Sequence, residues 1–233
     1  MAESFRGFRP EAVQFLVDLT EHNERAWFQP RKADYERLLK TPLEALCAAL
    51  DAAFAARGVP LSADPKRSPF RIYRDVRFSR DKSPYKTHAS ANFPWTGDGG
   101  MVGGYFHLQP GAVFVGGGMW HPAPERLAGW RTAVVEDRER IHATLDDPPF
   151  RATFGEVTGE RLKRGPAGYP PDDPDIELLQ LKDITFSHPL ADEELFSDDL
   201  PNVIADVLAH ATPLLRLLAA LPGGGTQAAW LRD

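Results

Sequence analysis

Cysteine is almost missing from this 233-residue sequence: Cys47 is its only one. An intrachain disulfide and a cysteine metal cluster are therefore excluded. Cys47 lies in Leu46-Cys47-Ala48-Ala49-Leu50, an apolar helical context without the cationic neighbours that a reactive thiolate needs, so it reads as a core residue. Long apolar runs are missing too. Residues 99–124 hold no Asp, Glu, Lys or Arg, but Gly103-Gly104, His107, Gln109-Pro110-Gly111 and Gly116-Gly117-Gly118 interrupt them. That stretch predicts a buried β-hairpin rather than a membrane helix. Residues 1–7, Met-Ala-Glu-Ser-Phe-Arg-Gly, reach charge at once and show no apolar centre of a signal peptide. The expected location is the cytoplasm.

Positive charge is in deficit, with 27 Lys and Arg against 33 Asp and Glu and a formal net charge of −6. Overall acidity argues against a protein that coats nucleic acid along its whole surface. Several catalytic patterns are absent as well: there is no G-x-x-x-x-G-K-[ST] phosphate loop and no G-x-S-x-G elbow. The seven histidines form no H-x-H or H-x-x-x-H pair, so no metal site is predicted, and no cofactor follows from these patterns.

What is present is an ordinary globular composition, 42% hydrophobic and 26% charged. Pro10 opens a helical pattern with Val13, Leu16 and Leu19 that ends near His22-Asn23. A second helix is expected from about 29 through Tyr35, Leu38 and Leu39. Thr41-Pro42-Leu43-Glu44 reads as a capping box that starts a third, carrying Leu43, Leu46, Leu50 and Phe54 and stopping at Gly58. The middle changes character. Residues 69–78 alternate as a strand, 89–95 read as another, and 103–109 with 112–117 form two strands joined at Pro110-Gly111. Helices return after Pro124, a Pro/Gly-rich loop follows at 164–174, and a final helix is expected over about 200–221 before a flexible glycine tail. Helices, then strands, then helices predict an α+β fold: a central antiparallel sheet from the middle of the chain, packed by N- and C-terminal helices, in one domain over 1–233.

The chemistry concentrates in residues 66–88. Lys66, Arg67, Arg71, Arg74, Arg77, Arg80, Lys82 and Lys86 stand there against Asp75 and Asp81, a +6 island within an otherwise acidic chain. On a strand, Arg71, Tyr73, Asp75 and Arg77 share one face, and Phe70, Ile72, Val76 and Phe78 the other, with Arg74 as the exception among the apolar residues. Two guanidinium groups so spaced suit bidentate capture of a phosphate or carboxylate, with Asp75 orienting them. Tyr85, Lys86 and His88 add a phenol, a point charge and an imidazole. In the predicted hairpin, Tyr105, His107 and Gln109 share a face, and His107 is the general acid/base candidate because its ordinary pKa is near neutrality. The competing structural reading is that the arginines pair with acidic residues inside the protein.

Arg71-Ile72-Tyr73-Arg74-Asp75-Val76-Arg77-Phe78-Ser79 and Asp81-Lys82-Ser83-Pro84-Tyr85-Lys86-Thr87-His88 closely resemble the signature of the domain of unknown function 2461 family of conserved hypothetical proteins. The resemblance extends over nearly the whole chain, from Phe5, Phe8, Asn23, Trp27-Phe28 and Tyr35, through Gly104-Tyr105-Phe106-His107 and Trp120, to Leu162-Lys163-Arg164 and Lys182. It implies bacterial and fungal relatives and one globular domain, and it transfers no catalytic residue.

The residues thus predict a basic pocket on one sheet face that binds an anionic, phosphorylated or nucleotide-like small molecule. Arg71, Tyr73, Arg74, Arg77, Lys82, Tyr85, Lys86 and His88 are its ligand-binding candidates, and His107 and Asp75 its catalytic ones. The alternative is a binding module for nucleic-acid backbone or an acidic protein segment.

Overall fold

Proline at the first helical position and Ala12, Phe15, Leu16 and Leu19 turned inward give helix α1, Pro10–Glu21. A computed structural model describes residues 4–77, 79–97, 99 and 101–222 of the chain; Phe78 and the expected glycine tail lie outside them. After α1 the chain winds through α2 (Arg25–Phe28), a 3-10 turn (Gln29–Arg31), α3 (Lys32–Tyr35), a π-helical turn (Glu36–Lys40) and α4 (Thr41–Arg57). The expected capping box at Thr41 does not form. Lys40 and Thr41 both keep right-handed helical backbone angles, so the helix runs straight through. Pro42 has no N–H to give an α-helical bond and its ring crowds the carbonyl four residues back. The preceding turn widens instead, with Thr41 N–H reaching five residues back to Glu36 O. Gly58, at φ 66°, ends α4 in the left-handed conformation as expected.

The sheet is four-stranded and wholly antiparallel in the order β1 (Ala89–Pro94), β2 (Val102–Gln109), β3 (Ala112–Met119), β4 (Ile184–Pro189). Gln109 pairs with Ala112 across Pro110-Gly111, which makes β2 and β3 the expected hairpin. Between β3 and β4 run α5 (Pro124–Glu136), α6 (Arg138–Leu145), α7 (Pro148–Phe154) and α8 (Ile176–Leu179). After β4 come α9 (Asp192–Leu195), α10 (Leu200–His210) and α11 (Thr212–Ala219). The single final helix of the sequence reading is two helices meeting at 60°. Pro213, in the first turn of α11, cannot donate the bond that would continue α10. Among the described residues no single helix is long and apolar enough to cross a membrane.

Alternation along each strand sends one set of side chains into the core. Ala91 and Phe93, Phe106 and Leu108, Val115 and Met119, and Ile184 and Phe186 are all buried on that face. α4 packs on β1 and α10, while α10 and α11 cover β3 and α11 also meets β2. Burying a large aliphatic or aromatic side chain contributes roughly 1.5–3 kcal/mol, so this face anchors the sheet. The opposite face carries Tyr105, His107, Gln109 and Phe114, half-buried, with Ser90 buried beside them.

Residues 69–78 depart from expectation. The side-chain alternation is present, with Ile72 buried and Arg71 and Tyr73 exposed, but no regular strand forms among the described residues 69–77. The segment first leans on β1, through Phe70 N–H to Ser90 O at 2.9 Å, and then folds onto residues 84–86. There Arg74 N–H donates to Pro84 O at 2.9 Å and Lys86 N–H to Ile72 O at 2.7 Å, around a Tyr73–Tyr85 bridge. Pro84 has no N–H to return, which limits that ribbon to a few bonds.

Candidate functional site

The tip of this ribbon neutralises much of its own charge. Arg74 pairs with Asp81. Arg77 Nε donates to Asp75 Oδ1 at 2.9 Å, and Lys82 Nζ donates to Val76 O at 2.8 Å. Ser83 donates to Asp81 Oδ1 from both its N–H, at 2.9 Å, and its hydroxyl, at 2.6 Å. These bonds hold both carboxyls down: Asp75 to about 2, chiefly through the Arg77 side chain, and Asp81 below its ordinary value through Ser83 first and Arg74 second. Asp75 is therefore an ion-pair partner and a very weak base. Arg74, the exception on the apolar face, finds its carboxylate within the same loop.

Two concavities flank the ribbon. On one side a groove of about 350 Å³ runs between the helical stretch 28–44 and the segment 65–73. Its helical wall carries Lys32, Glu36, Lys40 and Glu44 at four-residue spacing, and the π turn presents two of them. Lys32 lies 3.8 Å from Glu36 and Lys40 3.9 Å from Glu44, so these four charges offset one another. The other wall adds Lys66 and Arg71, and neither has an ion-pair partner among the described residues. Phe28, Tyr35, Phe70 and Tyr73 supply the aromatic surface. Burial, with Tyr73, Glu44 and Glu36 nearby, pushes the Tyr35 phenol up to about 12, so its hydroxyl keeps its proton and can donate it in a hydrogen bond. The groove therefore has two cations outside any ion pair among the described residues, of which Arg71 acts on Asp75 only at longer range, together with an O–H donor and apolar ring faces.

On the other side a wider concavity of about 590 Å³ is lined by the end of α1 and by Arg74, Asp75, Asp81, Ser83, Lys86, Thr87 and His88. Arg74 there is paired with Asp81, Asp75 with Arg77 of the ribbon tip, and Lys86 lies near His88. The His88 ring lies 4.5 Å from that of His107, which also stacks on Phe114 at 4.8 Å. His107 is fully committed: Nε2–H donates to Gln109 Oε1 at 3.1 Å and Nδ1 accepts the Tyr105 hydroxyl at 2.9 Å. Burial lowers the pKa of both imidazoles, His88 to about 4 with His107 and then Lys86 as further causes. Burial likewise raises the Tyr105 phenol.

The predicted residues are thus divided. Arg71 and Tyr73 line the groove; Arg74, Asp75, Tyr85, Lys86 and His88 line the wider concavity; Arg77 and Lys82 belong to the ribbon tip; and His107 lies behind His88 on the sheet. Tyr85 is buried, stacked on Phe28 at 4.0 Å, and contributes packing more than surface. Lys32, Tyr35, Lys40 and Lys66 were not among the sequence candidates. The signal for the helical three was available, as a charge stripe of period four with Tyr35 beside it. Among the described residues no group of three or more His, Cys, Asp or Glu side chains is placed to hold a metal ion.

No curated protein and no solved structure matches the chain. A family model does: residues 11–216 match that described as conserved hypothetical protein (DUF2461). The match takes in α1, the groove, the ribbon, the whole sheet and most of α11, and with it the chain belongs to the DUF2461 family.

Proposed function

We propose that the groove between residues 28–44 and 65–73 binds a phosphorylated small molecule of about mononucleotide size. The observation that carries this reading is the pair Lys66 and Arg71, two cations without ion-pair partners among the described residues, set beside Tyr35, Phe70 and Tyr73. Arg71 offers a planar fork that matches phosphate oxygens, and Lys66 a second charge. The Tyr35 hydroxyl donates to a third oxygen, and the exposed Tyr73 ring gives an aromatic portion of the ligand a face to lie on. A volume of about 350 Å³ falls at the small end of the usual range for ligand pockets, roughly 300–1,000 Å³. That size favours a single phosphorylated ring system over a dinucleotide.

A screen of phosphorylated metabolites and mononucleotides by thermal shift, followed by calorimetry on the hits, tests the reading. At least one compound is expected to stabilise the protein, and Lys66→Ala with Arg71→Ala to weaken it by at least tenfold. No stabilising compound, or equal binding by the double variant, overturns it. The nucleic-acid alternative separates cleanly by salt dependence, because contacts to several phosphates make affinity fall steeply with added salt.

A further inference from the structure

The wider concavity contains a group that the anion groove does not use. His88 is half-buried and lines the concavity, its ring is fixed against His107, and neither of its nitrogens has a hydrogen-bond partner among the described residues. His107, which the sequence favours as the reactive imidazole, has both nitrogens engaged by its own strand. A ring set against another ring at the wall of a cavity, with both nitrogens uncommitted, is available to something that enters the cavity. The surroundings specify what. Arg74 is paired with Asp81 and Asp75 with Arg77 of the ribbon tip, Lys86 lies close enough to His88 to act on its charge, and Thr20, Ser83 and Thr87 add hydroxyls. From β2 only neutral groups approach, His107 with its Tyr105 and Gln109 partners. An anion placed against His88 meets Lys86, and it gains a second cation when His88 takes up a proton.

We propose that the concavity is a second ligand site, distinct from the groove, in which a small oxyanion is bound against His88 together with a proton on that imidazole. The proton comes from solvent and returns there on release, so no bond in the ligand changes. This proposal does not depend on what the groove binds.

The linkage has a fixed sign. Without anion, burial, the neighbouring imidazole and Lys86 keep the ring neutral above about pH 4. A bound oxyanion stabilises the imidazolium and raises that pKa. Between the free and the bound values, affinity falls about tenfold for each unit rise in pH, because one proton accompanies each anion. Sulfate is a suitable probe, since its own charge stays constant over this range.

The test is NMR titration of the histidine ring signals of the full chain from pH 7 to 4.5, with sulfate or with chloride at equal ionic strength. Sulfate is expected to move the His88 midpoint up by a unit or more and to leave His107 unprotonated. His88→Gln is expected to abolish the pH dependence of sulfate binding, and Lys66→Ala with Arg71→Ala to retain it. An unchanged His88 midpoint overturns the proposal, as does a sulfate effect that persists in His88→Gln. Loss of the effect in the Lys66/Arg71 double variant also overturns it, by assigning the anion to the groove. Should His88→Gln not fold, the wild-type titration decides alone, with the His88 signal identified through its ring contact with His107.

Discussion

Asn23 grips Tyr85 at both of its backbone groups: Asn23 Nδ2 donates to Tyr85 O at 2.9 Å, and Asn23 Oδ1 accepts Tyr85 N–H at 3.0 Å. A side-chain amide thereby imitates a strand partner. It ties the end of α1 to a buried part of the basic segment, where Tyr85 stacks on Phe28. Both concavities depend on this attachment, because the ribbon that divides them is otherwise held by few backbone bonds.

Replacing Asn23 by Ala leaves a buried N–H and a C=O without partners, at a cost of about 1–3 kcal/mol for each such group. Asn23→Ala is expected to lower stability by at least that amount in urea denaturation. Asn23→Asp keeps the acceptor for Tyr85 N–H but sets a carboxylate against Tyr85 O, and it should be no better than Ala. Wild-type stability in Asn23→Ala would show that the ribbon is held by packing alone.

Acid should destabilise the protein earlier than its carboxylates require. The folded-state pKa of His88, about 4, lies below the ordinary histidine value, and His107 shifts in the same direction. The unfolded chain then binds more protons than the folded one between about pH 6.5 and 4, so stability rises with pH across that window. The contribution is complete above the unfolded value and lost as pH falls through the folded one. Asp75, held near 2, begins to lose its contribution only below the ordinary carboxylate range. Urea midpoints measured in chloride buffers at pH 7 and 4.5 should therefore differ for the wild type. The difference should shrink in His88→Gln. An equal loss in both proteins would place the acid sensitivity elsewhere.

Local pattern carried much of this structure and long-range pairing did not. Leu16 and Leu19, Leu46 and Leu50, and the alternation through Phe106 and Leu108 announce their elements because each burial decision repeats within a few residues. Strand β4 went unseen. Its core residues, Ile184 and Phe186, form a very short pattern that ends in Pro189, and its partner β3 lies beyond four helices. The basic segment was legible as chemistry but not as geometry. The sequence pattern placed Arg71, Tyr73 and Arg77 on one strand face, whereas the chain reverses between Arg74 and Pro84, and Arg71 lines one concavity and Lys86 the other. The commitment of His107 to Tyr105 and Gln109 follows from neighbours two residues away on the same face, and so was readable in principle.

Cys47 provides a test of core integrity. It is fully buried, and burial pushes its thiol pKa up, away from the thiolate that reacts. A thiol reagent should find it unreactive in the native protein and fully reactive in denaturant. Rapid labelling under native conditions would mean that α4 opens locally from the sheet.

Gly118 is the residue on which the β3–β4 pairing turns. Its φ of 122° lies where L side chains rarely sit, and a Cβ there would come within 2.1 Å of Ile184 O in the neighbouring strand. Neither backbone can move without loosening the ladder from Gly118–Thr185 to Met119–Ile184, and Ile184 is a buried core residue. Strain of this kind costs of order 1–3 kcal/mol, and overpacking a fixed backbone adds about as much. Gly118→Ala should therefore be among the more destabilising single substitutions in the sheet. Gly111→Ala is the control: its φ of 75° carries strain, but no heavy atom lies within 4 Å of the added carbon. Denaturant unfolding of the two variants separates crowding from backbone preference. If the two lose the same stability, the close approach of β4 contributes nothing beyond the dihedral angle, and a non-glycine residue at 118 would be limited by conformation alone.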